Sequence, residues 1–355
     1  MIPVLKPTAD EQTKKELLEV IDSGWWGQGP KAAEFEESFA KKVGAKYAIA
    51  TNSCTAALDL CIKAYGITKG LLVTTPMTFV ADAIVGEWNG LDVEFADIEE
   101  DTLCIDPKTI NPKAAVIIAV DSHGRLADYE QIRKLCPNAL IIQDAAHAMY
   151  TPGAGKGGDI AVWSFQAVKS LPIGDGGMIT TNNEEIAINI KNMTWLGVEK
   201  STYARASKKK YTWDYDIVHG GTKSYMNDIN AVIGLGNLRR LDDIMNKRQA
   251  IQARYNEAFK DLKGVELPAY SYTCQYYTLR VDNRDKVGEY LADNGIATSV
   301  HFKPLSEMTY WKKAKKRPLP VTDRVWLRLL TLPCHDALTI AEQEFIIEKF
   351  KEAVV

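Results

Sequence analysis

The chain reads as an α/β protein with a mostly parallel sheet, and three observations carry that reading. Short apolar runs recur at 71–73, 93–95, 115–120, 139–142, 160–163 and 178–180. They are too short for buried helices and nearly continuous, as strands covered on both faces are. Helix-like stretches lie between several of them, near 78–88 and 128–135, as parallel crossovers require. The length, 355 residues with 46% apolar and 25% charged, allows a large core and two domains.

The bulk properties exclude several classes. A net charge of −3 offers no general attraction to nucleic acid or to an anionic membrane. No apolar run approaches membrane-spanning length, and the opening M-I-P-V-L-K-P lacks the build of a signal peptide. The six scattered cysteines show no paired spacing. They read as reduced thiols of a cytoplasmic protein, with no disulfide framework and no metal site.

Taken in order, 8–23 is expected as an amphipathic helix, with Thr8-x-x-Glu11 as a capping box, Leu17, Leu18 and Ile21 as its stripe, and Gly24 as its end. The turn S-G-W-W-G-Q-G-P-K follows. Its tryptophans, Trp25 and Trp26, are either buried anchors or a pocket wall, and their area favours burial. A second helix is expected over 31–43. Then K-Y-A-I-A leads into T-N-S-C-T-A-A-L-D-L: strand, small-residue turn, helix start. The Cys54 amide and Thr55 are placed there to hold a phosphate, though a plain Ser/Thr cap reads equally well.

The centre of the sequence is 158–182, in which an apolar strand delivers Ser164-Phe165, then Lys169, then a glycine-flanked turn and a second strand. Upstream, I-I-Q-D-A-A-H-A ends a strand at Asp144 with His147 three residues on. A lysine held among apolar residues beside a strand-end carboxylate is what Schiff-base chemistry needs, because the amine must lose its proton to attack a carbonyl. The carboxylate would pair with the ring nitrogen of pyridoxal 5'-phosphate (PLP). The plainer reading is a solvated lysine and an aspartate that caps a turn or helix. Cys54, Thr55, Thr78, Phe79, Asp144 and Ser164 all follow strands and so can meet in one crevice at the strands' carboxyl ends.

G-A-G-K-G-G at 153–158 satisfies G-x-G-x-x-G but runs into a strand, whereas the dinucleotide fingerprint opens a helix; it reads as a loop. A long helical pattern covers 227–259. Its start (Ile229, Val232, Ile233, Leu235, Leu238) is apolar nearly all round, which suggests burial, with a second subunit as one possible cover. This helix is the expected link between a large domain, 1–240, and a small α/β domain, 241–355. The small domain would hold strands at 276–281 and 297–301 and helices at 286–294, 323–330 and 340–354. The basic run at 312–317 reads as solvated surface rather than a phosphate clamp, and Lys208, Lys209 and Lys210 read equally as solvated surface or as a contact for a substrate diphosphate.

With these motifs assembled, the chain resembles the DegT/DnrJ/EryC1/StrS family of PLP-dependent sugar aminotransferases over nearly its whole length. The likeness runs in order through S-G-W-W-G-Q-G-P, S-C-T-A-A-L, T-P-M-T-F-V-A, D-A-A-H-A, S-F-Q-A-V-K…G-D-G-G-M, G-I-A-T-S-V-H-F-K-P-L and L-T-L-P-C. It implies the type I aminotransferase fold: a large PLP-binding domain with a mostly parallel mixed sheet, plus a smaller C-terminal domain. By the same likeness, Lys169 forms the Schiff base and then moves a proton as general base and acid. Asp144 pairs with the ring nitrogen, His147 lies near the ring hydroxyl and Phe79 stacks on the ring. Thr55, the Cys54 amide and Ser164 hold the phosphate, and His301 faces the sugar. The family's active sites lie between two subunits of a homodimer, so Tyr225 and Asn227 would complete the phosphate site of the neighbouring chain.

Some positions depart from the family pattern. N-Y-R-M-[ST]-[ED] is replaced by K-S-Y-M-N-D (223–228), V-H-x-Y-G by V-D-S-H-G (120–124), the usual histidine by Gln166, and a glutamate by Asp175. Lys169 itself argues against the family's dehydratase branch, which has histidine there. The expected reaction moves an amino group from L-glutamate to a nucleotide-linked 4-keto- or 3-keto-deoxyhexose, for a surface polysaccharide or glycan. The alternatives are a non-nucleotide keto sugar or cyclitol as acceptor, a PLP-binding regulatory protein without turnover, and a nicotinamide-dependent sugar enzyme that rests only on the glycine run.

Overall fold

A computed structural model describes residues 1–199 and 214–354. Seven strands and a two-residue eighth form one sheet. Their order is β1 (Tyr47–Thr51), β7 (Gly177–Thr181), β6 (Ile160–Ser164), β5 (Leu140–Asp144), β4 (Val116–Val120), β2 (Leu71–Thr74), β3 (Asp92–Phe95) and β10 (Lys315–Lys316). β7 runs antiparallel to both neighbours, and all other pairs are parallel. Every residue of β4 and β5 is buried, as expected of strands covered on both faces. The helices α3 (Cys54–Ala64), α4 (Ala81–Trp88) and α6 (Glu184–Met193) pack on one face, where Leu58, Leu72, Ile118 and Val162 share a core. On the other, α2 (Pro30–Val43) brings Phe35 and Phe39 against Trp163 and Phe165, and α5 (Tyr129–Leu135) brings Ile132 against Ile117 and Ile141.

The long helical pattern of 227–259 is two helices, α7 (Asp228–Arg239) and α8 (Leu241–Phe259), broken at Arg240. Arg240 turns out to meet Thr8 Oγ1 at 2.7 Å. The apolar start of α7 packs on α1 (Glu11–Asp22) and α2, which bury Val232 and Leu235 as expected and leave Ile229, Ile233 and Leu238 half-buried. Two glycines permit this: a Cβ on Gly234 would stand 2.8 Å from the Phe35 ring, and one on Gly236 would overlap Thr13. The cap of α1 also differs from expectation. Asp10 accepts from the Thr13 amide at 2.8 Å, while Thr8 is drawn away to Asp336. A carboxylate at the right position outcompetes a hydroxyl two residues earlier.

Beyond Arg240 a three-stranded antiparallel sheet, β11 (Leu329–Leu332), β9 (Tyr277–Val281) and β8 (Val265–Glu266), packs on α8, α9 (Arg284–Asp293) and α11 (Ile340–Ala353). The expected strand at 297–301 is not one. Ala297 gives its amide to Ile2, and Ser299 meets Thr331 only at an isolated bridge. The expected helix at 323–330 is cut to α10 (Pro320–Val325) and one 3₁₀ turn, because Leu329 to Leu332 pair with β9. The chain also returns to the large sheet after residue 304. The Leu305 amide meets the Pro76 carbonyl, Trp311 packs on Phe95 and β10 adds to the edge beside β3. The basic run at 312–317 thus includes a two-residue edge strand, and Lys312 is exposed. Lys208, Lys209 and Lys210 lie outside the described residues.

The run 153–158 is a loop, with Gly153 and Gly155 at positive φ. The tryptophan turn departs from the burial expected for it. Trp26 is 55% exposed, and Trp25 with Trp26 walls a pocket of about 300 Å³ with Trp195 and Tyr225.

Asp228 ties this turn to α7. Its buried carboxylate accepts from the amides of Gly29 (2.8 Å), Lys31 (3.2 Å) and Ala32 (3.0 Å), at a helix start whose glycine cap has no side chain. Asp228→Ala orphans all three donors and is expected to lower stability by about 2–4 kcal/mol in urea unfolding. A loss below about 1 kcal/mol would show that the amides find other partners.

Candidate active site

The carboxyl ends of β1, β2, β5 and β6 face one side of the sheet, and the elements that follow them enclose a cavity of about 640 Å³. β1 leads through Ser53 into α3. The Ser53 hydroxyl accepts from the Ala56 amide, which leaves the Cys54 and Thr55 amides among the first-turn donors that a helix cannot satisfy internally. Such an end attracts an anion. The amide of Cys54 is approached from β7 by Gly177, where a Cβ would stand 2.6 Å away; only glycine lets the two backbones meet.

β5 ends at Asp144, 5% exposed, whose Oδ1 accepts from the Ala146 amide at 2.8 Å. Burial pushes this carboxyl up from its ordinary range, against the lowering effects of that bond and of Lys169. His147 follows on the same turn and is 3% exposed. Its ring lies between Phe302, stacked at 6.0 Å, and the edge of Tyr276 at 5.1 Å, and its Nδ1 is buried without a hydrogen-bond partner. β6 ends at Ser164. Lys169 follows on an irregular segment, half-buried, with Nζ 6.0 Å from the centre of the Tyr276 ring.

The small domain supplies the opposite wall. His301 stacks on Tyr276 at 3.8 Å and its Nδ1 meets the Thr331 hydroxyl at 2.9 Å. Gln275, fully buried, brackets the lysine. Its Nε2 donates to the Val168 carbonyl at 2.8 Å, and its Oε1 accepts from the Ser170 hydroxyl at 2.7 Å.

The cavity thus brings together Lys169, Asp144, His147, Cys54, Thr55, Phe79, Ser164 and His301. Phe79, 62% exposed, stands at its lip. Tyr225 and Asn227 do not join them within this chain. Tyr225 packs edge-on against Trp195 at 4.8 Å, and Asn227 caps α7 by accepting from the Asn230 amide. Asp82, Gln275, Tyr276 and Phe302 were not foreseen. Asp82 was detectable as the lone charge among apolar residues just after T-F-V-A, but nothing local marked the other three.

These residues fit PLP by their chemistry. Free helix-start amides suit a phosphate, buried carboxylates suit a cationic ring nitrogen, and an unpartnered buried His147 Nδ1 and a lysine face the same space. The histidines add no competing positive charge. Burial, and then Lys169, holds His147 well below its ordinary range and His301 at about 3.

His301 yields a pH prediction. An unfolded histidine gains its proton below about pH 6.5, whereas His301 stays neutral in the fold until about pH 3. In that window the unfolded state binds more protons, so acid favours unfolding. The cofactor-free wild type is expected to lose stability relative to His301→Gln as pH falls from 6.5 toward 3, in urea midpoints measured side by side. Parallel curves would refute a neutral His301.

The comparisons agree with this geometry. Residues 7–351 match the model of the DegT/DnrJ/EryC1/StrS aminotransferase family. The spore coat polysaccharide biosynthesis protein SpsC of Bacillus subtilis is 35% identical, over 99% of this chain and 97% of its own. Among solved structures, DesI, determined in the presence of its TDP-sugar product, superposes with a TM-score of 0.89 at 28% identity, covering 99% of this chain and 93% of that one. A Streptococcus pneumoniae protein in its PLP form gives 0.90 at 27% identity, over 99% of both chains. The fold is that of the PLP-dependent aminotransferases, and the chain belongs to the DegT/DnrJ/EryC1/StrS family as a PLP-dependent sugar aminotransferase.

Proposed function

We propose that the enzyme moves an amino group from L-glutamate to a nucleotide-linked keto-deoxyhexose, in the cytoplasm, for assembly of a surface polysaccharide. The observation that carries the site assignment is the convergence of Lys169, Asp144 and the free amides of α3 on one cavity. The DesI and SpsC likenesses support the acceptor class and its use.

Bound PLP supplies an electron sink that stabilises negative charge on the amino-bearing carbon. In this reading the Cys54 amide, Thr55 and Ser164 hold the phosphate, and Asp144 keeps the ring nitrogen protonated. His147 Nδ1 lies toward the ring hydroxyl, and Phe79 covers one face. Lys169 Nζ would hold the cofactor through its aldehyde carbon and, when free, would act as the base that takes a proton from the donor's amino-bearing carbon and as the acid that gives it to the cofactor. His301, neutral, offers its remaining ring nitrogen to a sugar hydroxyl.

The same proposal makes the enzyme a homodimer with shared sites. Tyr225 and Asn227 lie outside their own cavity, where a neighbouring copy can take them up. Around them Trp26, Leu196, Ile217 and Val218 form exposed apolar surface of the kind a second copy covers.

Two experiments test this. The visible cofactor band of the wild type is expected to shift on addition of L-glutamate and to recover with a nucleotide-linked keto sugar. Lys169→Ala is expected to lose the shift and at least about 1,000-fold of the rate. A wild-type band indifferent to glutamate refutes the donor. Separately, mixing inactive Lys169→Ala with a Tyr225→Ala, Asn227→Ala double variant is expected to restore activity, since each mixed dimer rebuilds one intact site. No recovery in dimers shown to have exchanged refutes the shared site.

A further inference from the structure

Asp82 stands on the floor of the cavity beside Asp144. It lies in the first turn of α4 and is 1% exposed. Its Oδ2 accepts from the Thr78 hydroxyl, while its Oδ1 is buried with no donor. The group next to it is another carboxylate, Asp144, which lines the same cavity and is the first charge to act on Asp82 after burial. Two carboxyl groups can hydrogen-bond only if one carries a proton. Two anions held together out of water would repel, and an unsatisfied buried oxygen is costly; a single proton removes both penalties.

The surroundings decide which oxygen holds that proton. Asp144 accepts a backbone amide at 2.8 Å, which favours its anion, whereas Asp82 has only the weaker Thr78 hydroxyl. The other titratable groups facing Asp82 are Lys169, from the segment after β6, and Cys54, at the start of α3. Burial, and then the charges of Asp144 and Asp82, push the Cys54 thiol up, so it adds no charge of its own. Burial, and then Asp144, push the Asp82 carboxyl well above the ordinary carboxylate range, while Lys169 opposes the shift.

We propose that Asp82 is a neutral carboxylic acid whose Oδ1–H donates to Asp144 and fixes the Asp144 carboxylate for the cofactor's ring nitrogen. Asp82 is then a positioning residue, acting through Asp144, and the assignment rests on the reading of Asp144 given above. A neutral Asp82 leaves one anion against one cationic nitrogen. An ionised Asp82 would leave two, with Lys169 the cation that opposes them. The family motif as it appears here, T-F-V-A followed by Asp82, thus carries a proton store under the ring as well as the aromatic lip at Phe79.

The test uses wild type, Asp82→Asn and Asp82→Ala, each stripped of cofactor at neutral pH. In infrared difference spectra, a carbonyl stretch of a protonated carboxylic acid, beyond the one that Asp121 (pushed up to about 7) gives in all three proteins, is expected in wild type and absent from both variants. In titrations with PLP, Asp82→Ala is expected to bind about tenfold more weakly, while Asp82→Asn, whose amide N–H replaces the O–H, recovers to within about threefold of wild type. The proposal is overturned if the stretch is missing in wild type or persists in Asp82→Asn, if Asp82→Ala binds as wild type does, or if Asp82→Asn is as impaired as Asp82→Ala. Should Asp82→Ala not fold, the infrared comparison and Asp82→Asn still decide. Asp144→Asn separates the two readings: unchanged PLP affinity there refutes the role of Asp144, whereas the infrared band reports on Asp82 independently.

Discussion

Lys169 sits on a segment between β6 and β7 that belongs to neither strand, and the hydrogen bonds that hold it come largely from elsewhere. The Gln275 amide grips the chain on both sides of the lysine, through the Val168 carbonyl and the Ser170 hydroxyl. The Gln275 backbone carbonyl is in turn held by Arg248 of α8. The next residue, Tyr276, places its ring between Lys169 and His301. One dipeptide therefore joins the lysine of the large sheet to the wall built by the small one. With its amide group at zero exposure, any displacement of Gln275 would leave a donor and an acceptor unpaired. That constraint makes the relative placement of the two sheets part of the chemistry of the site.

Around this joint the charges are arranged for a visitor that brings its own. The floor holds Asp144, the far wall holds histidines kept neutral by burial, and the near end offers backbone donors without formal charge. Behind the floor, Asp121 accepts from Gln143 and Tyr129, yet burial still pushes it up to about 7. A dianionic phosphate would meet the backbone donors at one end, and a cationic nitrogen the carboxylate at the other. The low exposure of these groups also makes each interaction stronger than it would be in water.

Much of this was legible in the sequence because it is local. Strand runs, the small-residue turn before α3, the strand end at Asp144 and the lysine after Ser164 are set by neighbours within a few residues, and each stands where its pattern placed it. The misreadings share one cause, which is pairing at long range. Leu329 and Leu330 have a helical pattern but belong to β11, because β9 offers them a ladder. Residues 297–301 have strand composition but no neighbour along their length. Gln275 was invisible for the same reason: its partners lie 105 and 107 residues away.

The departures from the family pattern divide along the same line. Within the irregular K-S-Y-M-N-D run, Asp228 keeps the family's acidic residue, and its carboxylate is consumed by the amides of the tryptophan turn, so that position serves the fold. Gln166 and Asp175 instead lie on the rim of the cavity. Both are exposed, and the side chain of Gln166 reaches only the amide of Val168, two residues on. Asp82 is the interior counterpart, a carboxyl group that only a proton can satisfy. Where a substitution stands in this cavity therefore indicates its consequence. Rim positions can select the acceptor, because a few polar contacts suffice to reject the wrong sugar. Floor positions set the charge that the ring nitrogen meets, and so act on every substrate alike.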